Sequence, residues 1–283
     1  MTATLYIVAT PIGNLEDMTH RAVRVLGEVD RIAVEDTRHA RKLLAHYGIE
    51  RPLLSLHEHN EEQRVDTLLA QVEAGGSVAL ISDAGTPLIS DPGYRLVREA
   101  RRRGLNVSPI PGPSSIAAAL SVAGLPTDRF VFEGFLPAKP AARRKRLEVL
   151  RDEPRTLVVL ESSHRILAAL SDLVSVLGGE REAALARELT KRYETVRMAD
   201  LAALQAWLEA EPDQCRGEFV LVVGGAPEPL PDDDAEAETD RILATLVAEL
   251  PVKQAAVLAS RLTGYPRNAL YQRALELAKG GGG

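Results

Sequence analysis

Short apolar runs alternate with amphipathic stretches through the first half of the 283-residue chain. The apolar runs predict strands at Leu5–Ala9, Arg31–Glu35, Pro52–Leu56, Ser77–Ile81 and Val107–Ile110. The stretches between them have helical spacing, at Thr19–Leu26, Arg38–Tyr47, Glu61–Glu73, Tyr94–Arg103 and Ser114–Ala123. Strands that alternate with helices are typical of a mostly parallel sheet covered by helices, so we predict an α/β domain over residues 1–123.

The pattern continues less regularly over residues 124–225, where we predict a second α/β domain. Its predicted strands are Phe130–Phe135, Thr156–Glu161 and Glu218–Val223, and its predicted helices are Ala141–Arg151, Arg165–Leu177 and Leu201–Glu209. The next residues, 226–240, are rich in proline, alanine and acidic side chains, which predicts a linker. Over residues 241–279, helical stretches flank the turn Thr263–Pro266. They predict either a helix-turn-helix or a helical hairpin that only packs or dimerises.

Composition narrows the classes of protein that need to be considered. There is a single cysteine, Cys215, which excludes a disulfide framework and a cysteine-based zinc site. No basic region followed by an apolar stretch opens the chain, and no apolar run is long enough to span a membrane. We therefore expect a cytoplasmic protein without a signal peptide or a membrane partner.

The net charge of −6 hides an uneven distribution. Seven acidic residues and no basic residue lie within 227–240, so the remainder of the chain is close to neutral. Basic residues exceed acidic ones by four within residues 137–155, and by four again from residue 241 onwards. Since phosphate binding depends on local charge, the negative total does not exclude a nucleic-acid partner.

Three loops rich in glycine, proline and polar side chains each follow a predicted strand and precede a helix. They are Thr10–Asp17, Ser82–Gly93 and Pro111–Ser115. In a parallel sheet such loops meet at the carboxyl edge, where backbone groups and helix N-termini bind polar ligands. None has the spacing of a Walker loop or of GxGxxG, which disfavours a nucleotide anchored by its phosphates.

The motifs VATPIGNLEDMTHRA, AVEDTRHARKLL, HEHNE, ALISDAGTPLISDPG, PIPGPSS, FEGFLPAK and GEFVLVV occur in this order along the chain. On these motifs, residues 4–225 closely resemble the tetrapyrrole (corrin/porphyrin) methylase superfamily. Within that superfamily, the chain is similar to the ribosomal RNA small subunit methyltransferase I group, including the C-terminal helical extension. The resemblance implies two α/β domains with a cofactor cleft between them, and it implies a homodimer.

S-adenosylmethionine is the cofactor that the resemblance implies. The family's GGDP loop corresponds to residues 84–87 here, where Ala84 and Thr86 replace the first glycine and the aspartate, and Asp83 can supply the missing carboxylate. Of the remaining implied contacts, some lie in the three loops, one falls on a strand of the second domain at Glu161, and a later one falls near Leu189. The full set is Pro11, Asp83, Ala84, Gly85, Thr86, Ile89, Ser114, Ser115, Glu161 and Leu189.

The acceptor that the resemblance implies is a cytidine ribose 2′-hydroxyl in the decoding centre of 16S rRNA. A ribose hydroxyl is a poor nucleophile at neutral pH, so a proton acceptor is expected. The candidates are Asp36, after the second predicted strand, and His57, in the HEHNE motif after the third. Asp36 is equally well suited to cap the following helix, and His57 to hydrogen-bond within its loop. The histidine spacing is poor evidence for a metal ion, and we predict none.

The basic segment that follows the FLPAK motif is the predicted RNA contact, through Lys139, Arg143, Arg144, Lys145 and Arg146. Arg187, Lys191, Arg192 and Arg197 extend the basic character without an evident individual role. We therefore expect a partner in 16S rRNA or the small ribosomal subunit. The alternatives are a methyltransferase of tetrapyrroles such as precorrin or uroporphyrinogen, and a non-catalytic RNA-binding protein.

Overall fold

A computed structural model describes residues 3–57, 60–227 and 233–280 of the protein. The first sheet is built from β1 (Thr4–Val8), β2 (Arg31–Val34), β3 (Leu53–Ser55), β4 (Ser77–Ile81) and β5 (Val107–Ile110). The helices between these strands and after the last are α1 (His20–Glu28), α2 (Thr37–His46), α3 (Glu61–Glu73), α4 (Tyr94–Arg102) and α5 (Ser115–Val122). The predicted alternation of strand and helix is therefore confirmed.

The five strands of this sheet are parallel and lie in the order β3-β2-β4-β1-β5. Every residue of the central strand β4 is buried, because helices cover both faces of the sheet. On one face Leu26 and Leu44 pack against the sheet, and on the other Leu68 and Leu96 do so. All five loops at the carboxyl ends of the strands consequently open on the same edge.

The second sheet mixes parallel and antiparallel strands in the order β6-β7-β10-β8-β9. Its strands are β6 (Phe130–Phe135), β7 (Thr156–Ser162), β8 (Glu182–Arg187), β9 (Thr195–Asp200) and β10 (Glu218–Val223). Helices α6 (Pro140–Val149), α7 (Ile166–Leu177) and α8 (Leu201–Ala210) accompany them. The prediction of a second α/β domain is confirmed, although β8 and β9 were not among the predicted strands.

Helix α5 joins the two sheets into one compact unit that spans residues 1–226. Its Ala119 packs with Val158 of β7 and with Val220 and Val222 of β10, so one face of the second sheet is covered from the first half of the chain. The other face is covered by α7 and α8, with Leu173 and Leu204 in its core. Shared packing of this kind fixes the carboxyl edge of the first sheet relative to the second.

Residues 227–283 form a separate compact unit of three helices, α9 (Asp233–Glu249), α10 (Val252–Thr263) and α11 (Arg267–Gly280). Gly264 ends α10 in the left-handed conformation, with φ of +76°, which confirms the predicted turn. The prediction that residues up to 240 form a linker is wrong for its last part, since α9 begins at Asp233. There Thr239 is buried and Asp240 pairs with Arg273 at 3.5 Å, contacts within the unit that composition alone does not reveal.

Within residues 3–57, 60–227 and 233–280, no helix is long and apolar enough to cross a membrane.

Candidate functional site

The three glycine- and proline-rich loops meet at the carboxyl edge of the first sheet, as predicted. Thr10 and Gly85 exchange backbone hydrogen bonds of 2.9 and 3.1 Å, which joins the first loop to the second. The Thr86 hydroxyl donates to the Pro113 carbonyl at 3.1 Å, which joins the second loop to the third. The chain crosses over in opposite directions from the adjacent strands β1 and β4, and ligands of open α/β sheets bind at such a position.

A cavity of about 510 Å³ lies between this edge and the second sheet. That volume is within the range of about 300–1,000 Å³ that small-molecule sites occupy. Both sheets supply its lining, which combines apolar side chains with several carboxylates and hydroxyls. The lining includes Ile12, Glu35, Asp83, Ala84, Ile89, Asp91, Ser115, Phe135, Glu161, Leu189, Gly217 and Glu218.

Six of the ten predicted cofactor residues line this larger cavity, namely Asp83, Ala84, Ile89, Ser115, Glu161 and Leu189. The other four occupy different positions. Pro11 lines a neighbouring smaller cavity, whereas Gly85, Thr86 and Ser114 line neither. Gly85 and Thr86 instead connect the loops, and Ser114 is the residue that precedes α5.

Strained backbone is concentrated at the two segments that face each other across the larger cavity. Leu88 and Ser90 in the second loop have φ of +73° and +64°. Glu188 and Thr190, which follow β8, have φ of +51° and +66°. These four are the non-glycine residues with positive φ among those that the structure describes. Because each such conformation costs of order 1–3 kcal/mol, their clustering around one cavity indicates a functional site.

The carboxylates of the larger cavity differ in their environment. Burial raises the pKa of Asp91 above its usual value; a hydrogen bond with Ser82 opposes the effect, and the neighbouring Asp83 carboxylate adds to it. Glu161 is buried, accepts the Ser162 N–H at 2.8 Å and pairs with Arg165 at 3.0 Å. Hence the charge of Glu161 is already paired with that of Arg165, while Asp83 and Asp91 place acceptor oxygens at the cavity wall. Such a lining fits a ligand with hydroxyl or ammonium donors and an apolar body.

The smaller cavity, of about 310 Å³, lies beside the larger one. It is lined by the first loop, by α2 and by residues of the second sheet's loops, including Pro11, Gly13, Leu15, His39, Lys42, Leu43, Ser82 and Lys191. Four residues line both cavities, namely Ile12, Asp83, Ala84 and Glu218. The two cavities therefore adjoin at these four residues, which we call the opening and which include one carboxylate from each sheet.

Glu188, Lys191 and Glu218 form a charged cluster at this opening, and residue patterns did not single it out. The Lys191 ammonium lies 2.9 Å from Glu188 Oε1 and 2.8 Å from Glu218 Oε2. Glu188 Oε1 also accepts the backbone N–H of Glu218 at 3.0 Å. Burial alone lowers the pKa of Lys191, but the hydrogen bonds to both carboxylates raise it above its usual value, so the ammonium stays protonated.

Two glycines leave room for the cluster. A Cβ atom on Gly217 would lie 2.5 Å from the Glu188 carboxylate, and one on Gly13 would lie 2.3 Å from Lys191 Cγ. Gly217 and Glu218 belong to the GEFVLVV motif and Gly13 to the first loop motif, so the sequence marked these positions without showing that they meet.

The two predicted proton acceptors lie outside both cavities. Asp36 caps α2 by accepting the Arg38 N–H at 2.7 Å and pairs with the Arg38 guanidinium. Hydrogen bonds from the Arg38 side chain and backbone hold the pKa of Asp36 well below its usual range, which makes this carboxylate a weak base. Its backbone N–H donates to Asp83 Oδ1 at 3.3 Å, so Asp36 acts on the site by orienting Asp83.

His57 hydrogen-bonds within its own loop. The ring Nε2 of His57 lies 3.0 Å from the Asn60 side-chain nitrogen, and the backbone N–H of His57 donates to Asn60 Oδ1 at 2.9 Å. Neither cavity includes it, so its geometry matches the loop role rather than the catalytic one. Glu58 and His59 of the same motif lie outside the described residues.

The predicted RNA contacts on α6 divide into two kinds. The prediction for Arg143 is wrong, because its side chain is 3% exposed and pairs with Asp172 at 2.7 Å. Arg144 shares Asp172, and Arg146 pairs with Glu133, although both remain half-exposed. Lys139, which precedes the helix, and Lys145 are exposed and make no ion pair with any described residue.

Among the residues that the structure describes, no group of three or more His, Cys, Asp or Glu side chains is arranged to hold a metal ion.

Two family models match the chain. A model described as Tetrapyrrole (Corrin/Porphyrin) Methylases matches residues 4–205. A model described as RsmI C-terminal HTH domain matches residues 233–278, which correspond to the three helices of the second unit.

Curated relatives match along nearly the whole chain. The ribosomal RNA small subunit methyltransferase I of Pseudomonas aeruginosa is 54% identical over 273 residues, which cover 96% of this chain and 97% of that protein. The protein of the same name from Escherichia coli O157:H7 is 53% identical over 272 residues, covering 96% and 94%.

Solved structures share the fold of the first unit. Diphthine synthase superposes with a TM-score of 0.60 at 17% identity, covering 78% of this chain and 89% of that one. A uroporphyrin-III C-methyltransferase from Thermus thermophilus, complexed with S-adenyl homocysteine, gives a TM-score of 0.53 at 22% identity, covering 78% and 96%. At these identities the likeness is one of fold.

Proposed function

Because the chain belongs to the tetrapyrrole (corrin/porphyrin) methylase family, we propose that it transfers a methyl group from S-adenosylmethionine to the RNA of the small ribosomal subunit. The observation that carries this proposal is the larger cavity, which is lined by six of the ten residues that the family resemblance implies for the donor site. The relatives that are more than half identical over nearly the full chain support ribosomal RNA as the acceptor.

In this proposal the larger cavity holds the methyl donor. Asp83 accepts hydrogen bonds from donor hydroxyl or ammonium groups, in place of the aspartate that Thr86 replaces in the family's loop. Ile89 and Leu189 contact its apolar parts, and Ala84 and Ser115 complete the wall. The donor supplies a methyl group activated by its positively charged sulfur. The protein contributes the orientation of the acceptor relative to that group, which can lower a barrier by several kcal/mol, up to about 10.

The acceptor in this proposal is the 2′-hydroxyl of a cytidine ribose in the decoding centre of 16S rRNA. The donor loop of this chain differs from the GGDP pattern at Ala84 and Thr86, and exposed lysines lie just before α6, at Lys139, and on it, at Lys145. Exposed lysines bind RNA phosphates through charge, and their contribution weakens as salt rises. We further propose that the protein acts as a homodimer in the cytoplasm.

Transfer of labelled methyl from S-adenosylmethionine to small ribosomal subunits tests this function. The subunits come from a bacterial strain that lacks its own protein of this family, so that the target position is unmodified. We expect label in 16S rRNA, and nucleoside analysis should identify 2′-O-methylcytidine at one position. Label on uroporphyrinogen instead of RNA, or RNA binding without any transfer, would contradict the proposal.

A further inference from the structure

We propose that the smaller cavity receives the acceptor ribose, and that Glu218, positioned by Lys191, takes up the proton of its 2′-hydroxyl. This inference rests on the proposed function, because it concerns the acceptor side of the same reaction. It assigns roles to a cluster that is not among the predicted proton acceptors, although Glu218 lies in the GEFVLVV motif.

The opening between the cavities lies where an acceptor could approach a methyl donor. A methyl donor in the larger cavity must present its methyl group where an acceptor can approach from the side opposite to the sulfur. The smaller cavity reaches the larger one at Ile12, Asp83, Ala84 and Glu218. Its other polar groups include Lys42 and His39 of α2, which suit a nucleotide carrying a phosphate.

Of the two carboxylates that line both cavities, Glu218 is the one available to accept the proton of the ribose. Asp83 belongs to the donor loop, and its Oδ1 already accepts the Asp36 N–H. Glu218 comes from the second sheet, and its side chain is 76% exposed, so its carboxylate can reach an incoming ribose. Lys191 contacts the Glu218 carboxylate, and Glu188 accepts the backbone N–H of Glu218. The other charged or titratable groups that line the two cavities with Glu218 are Asp83, His39 and Lys42 in the smaller one, and Asp83, Glu35, Asp91 and Glu161 in the larger one.

Lys191 is the positioning residue in this arrangement. Its ammonium bonds to Glu218 on one side and to the largely buried Glu188 on the other, while its aliphatic chain lies against Gly13 of the first loop. The strained backbone at Glu188 and the glycine at 217 are needed to build this contact. Lys191 itself cannot accept the proton, because its hydrogen bonds to the two carboxylates keep it charged.

The proton transfer balances without any further reactant. As the ribose oxygen forms a bond to the methyl carbon, the carbon–sulfur bond breaks and its electron pair remains on sulfur. The oxygen–hydrogen bond breaks, and the proton passes to a Glu218 carboxylate oxygen. One positive and one negative charge are thereby neutralised. A carboxylate suffices because the oxygen becomes positively charged as the new bond forms, and its proton becomes strongly acidic.

Glu218→Gln is the primary test, with Glu182→Gln as its matched control. Glu182 is an exposed glutamate at the first position of β8, where it pairs with Asp200 of β9 and lies in neither cavity. We expect Glu218→Gln to slow methyl transfer to small subunits by about 100-fold or more, within the range for loss of a proton acceptor. Calorimetry should show that Glu218→Gln binds S-adenosylhomocysteine within about twofold of the wild-type affinity. Glu182→Gln should match the wild type both in methyl transfer and in S-adenosylhomocysteine binding.

Two further variants separate a catalytic from a structural role. Glu218→Asp keeps a carboxylate, so it should transfer methyl at least about tenfold faster than Glu218→Gln. Lys191→Met removes the hydrogen bond that positions the Glu218 carboxylate, so kcat should fall by about tenfold while KM for small subunits and S-adenosylhomocysteine binding stay within about twofold of wild type. A variant that merely loosens the fold would weaken both kinds of binding as well.

The outcomes distinguish this inference from the function on which it rests. If the wild-type protein transfers no methyl to 16S rRNA, the proposed function fails. If the wild type is active and Glu218→Gln keeps its rate within about threefold, the inference is wrong. Loss of S-adenosylhomocysteine binding in Glu218→Gln, with Asp83→Asn binding normally, would also overturn it, since Glu218 would then belong to the donor site.

Discussion

At the scale of single residues, similar side chains in one short segment have different roles because their surroundings differ. Arg143 and Lys145 are two positions apart on α6, yet Arg143 is buried against Asp172, whereas Lys145 is exposed. Arginine forms planar, multiply hydrogen-bonded pairs that suit such a buried position. The Arg143 guanidinium bonds both to the Asp172 carboxylate and to the Ala168 carbonyl. Charge counted along the sequence therefore overstates the basic surface.

Replacing Arg143 and Lys145 separately tests this distinction. Arg143→Ala leaves the Asp172 carboxylate buried with one fewer partner, so we expect it to destabilise the protein by about 3 kcal/mol. Urea unfolding followed by circular dichroism measures this loss. Lys145→Ala, the matched surface variant, should leave the unfolding midpoint unchanged and reduce the salt dependence of RNA binding. Equal stability of the two variants would contradict the assignment of Arg143 to the core.

At the scale of elements, the first sheet was predictable and part of the second was not. Strands such as β4 are continuous apolar runs, which single out buried parallel strands. In contrast, β8 contains three alanines, which favour helices when read locally. β9 lies at an edge of the sheet and is largely exposed, so it lacks the apolar face that reveals a strand. Strand β8 is stabilised by pairing with β10, and β9 by pairing with β8. Such pairing is not visible in the local sequence.

The candidate site was predictable to a similar extent. Loop motifs led to the donor cavity, because glycine and proline patterns are local. The Glu188–Lys191–Glu218 cluster was missed, since its members come from different segments and meet only after β8 and β10 pair. Asp36 and His57 were natural candidates by residue type, but capping and loop hydrogen bonds already use them.

Gly217→Ala tests whether the residue directly before β10 must be a glycine for the cluster to form. At φ of +101°, an added Cβ would collide with the Glu188 carboxylate at 2.5 Å. Gly75→Ala is the matched control, because Gly75 has φ of +95° with nothing within 4 Å. Both variants should lose about 1 kcal/mol from backbone strain. Only Gly217→Ala should also lose methyl transfer, by about tenfold or more, since the cluster must shift.

At the scale of the whole molecule, the first unit assembles one reaction site from two sheets. The first sheet supplies the donor loops, and the second supplies Leu189, Lys191 and Glu218 from segments that α5 holds in place. The three C-terminal helices form their own compact unit with its own core around Leu243 and Leu270. In the proposed function the donor binds within residues 1–226, so the stability of that unit should rise when S-adenosylhomocysteine binds.

The structure of the protein crystallised with S-adenosylhomocysteine tests the central claim most directly, namely that the larger cavity holds the donor and opens toward the smaller one. The account predicts the ligand in the larger cavity, in contact with Asp83, Ala84 and Leu189, with its sulfur directed at the opening beside Glu218. The account would be contradicted by a ligand that fills the smaller cavity, or by one whose sulfur points away from Glu218.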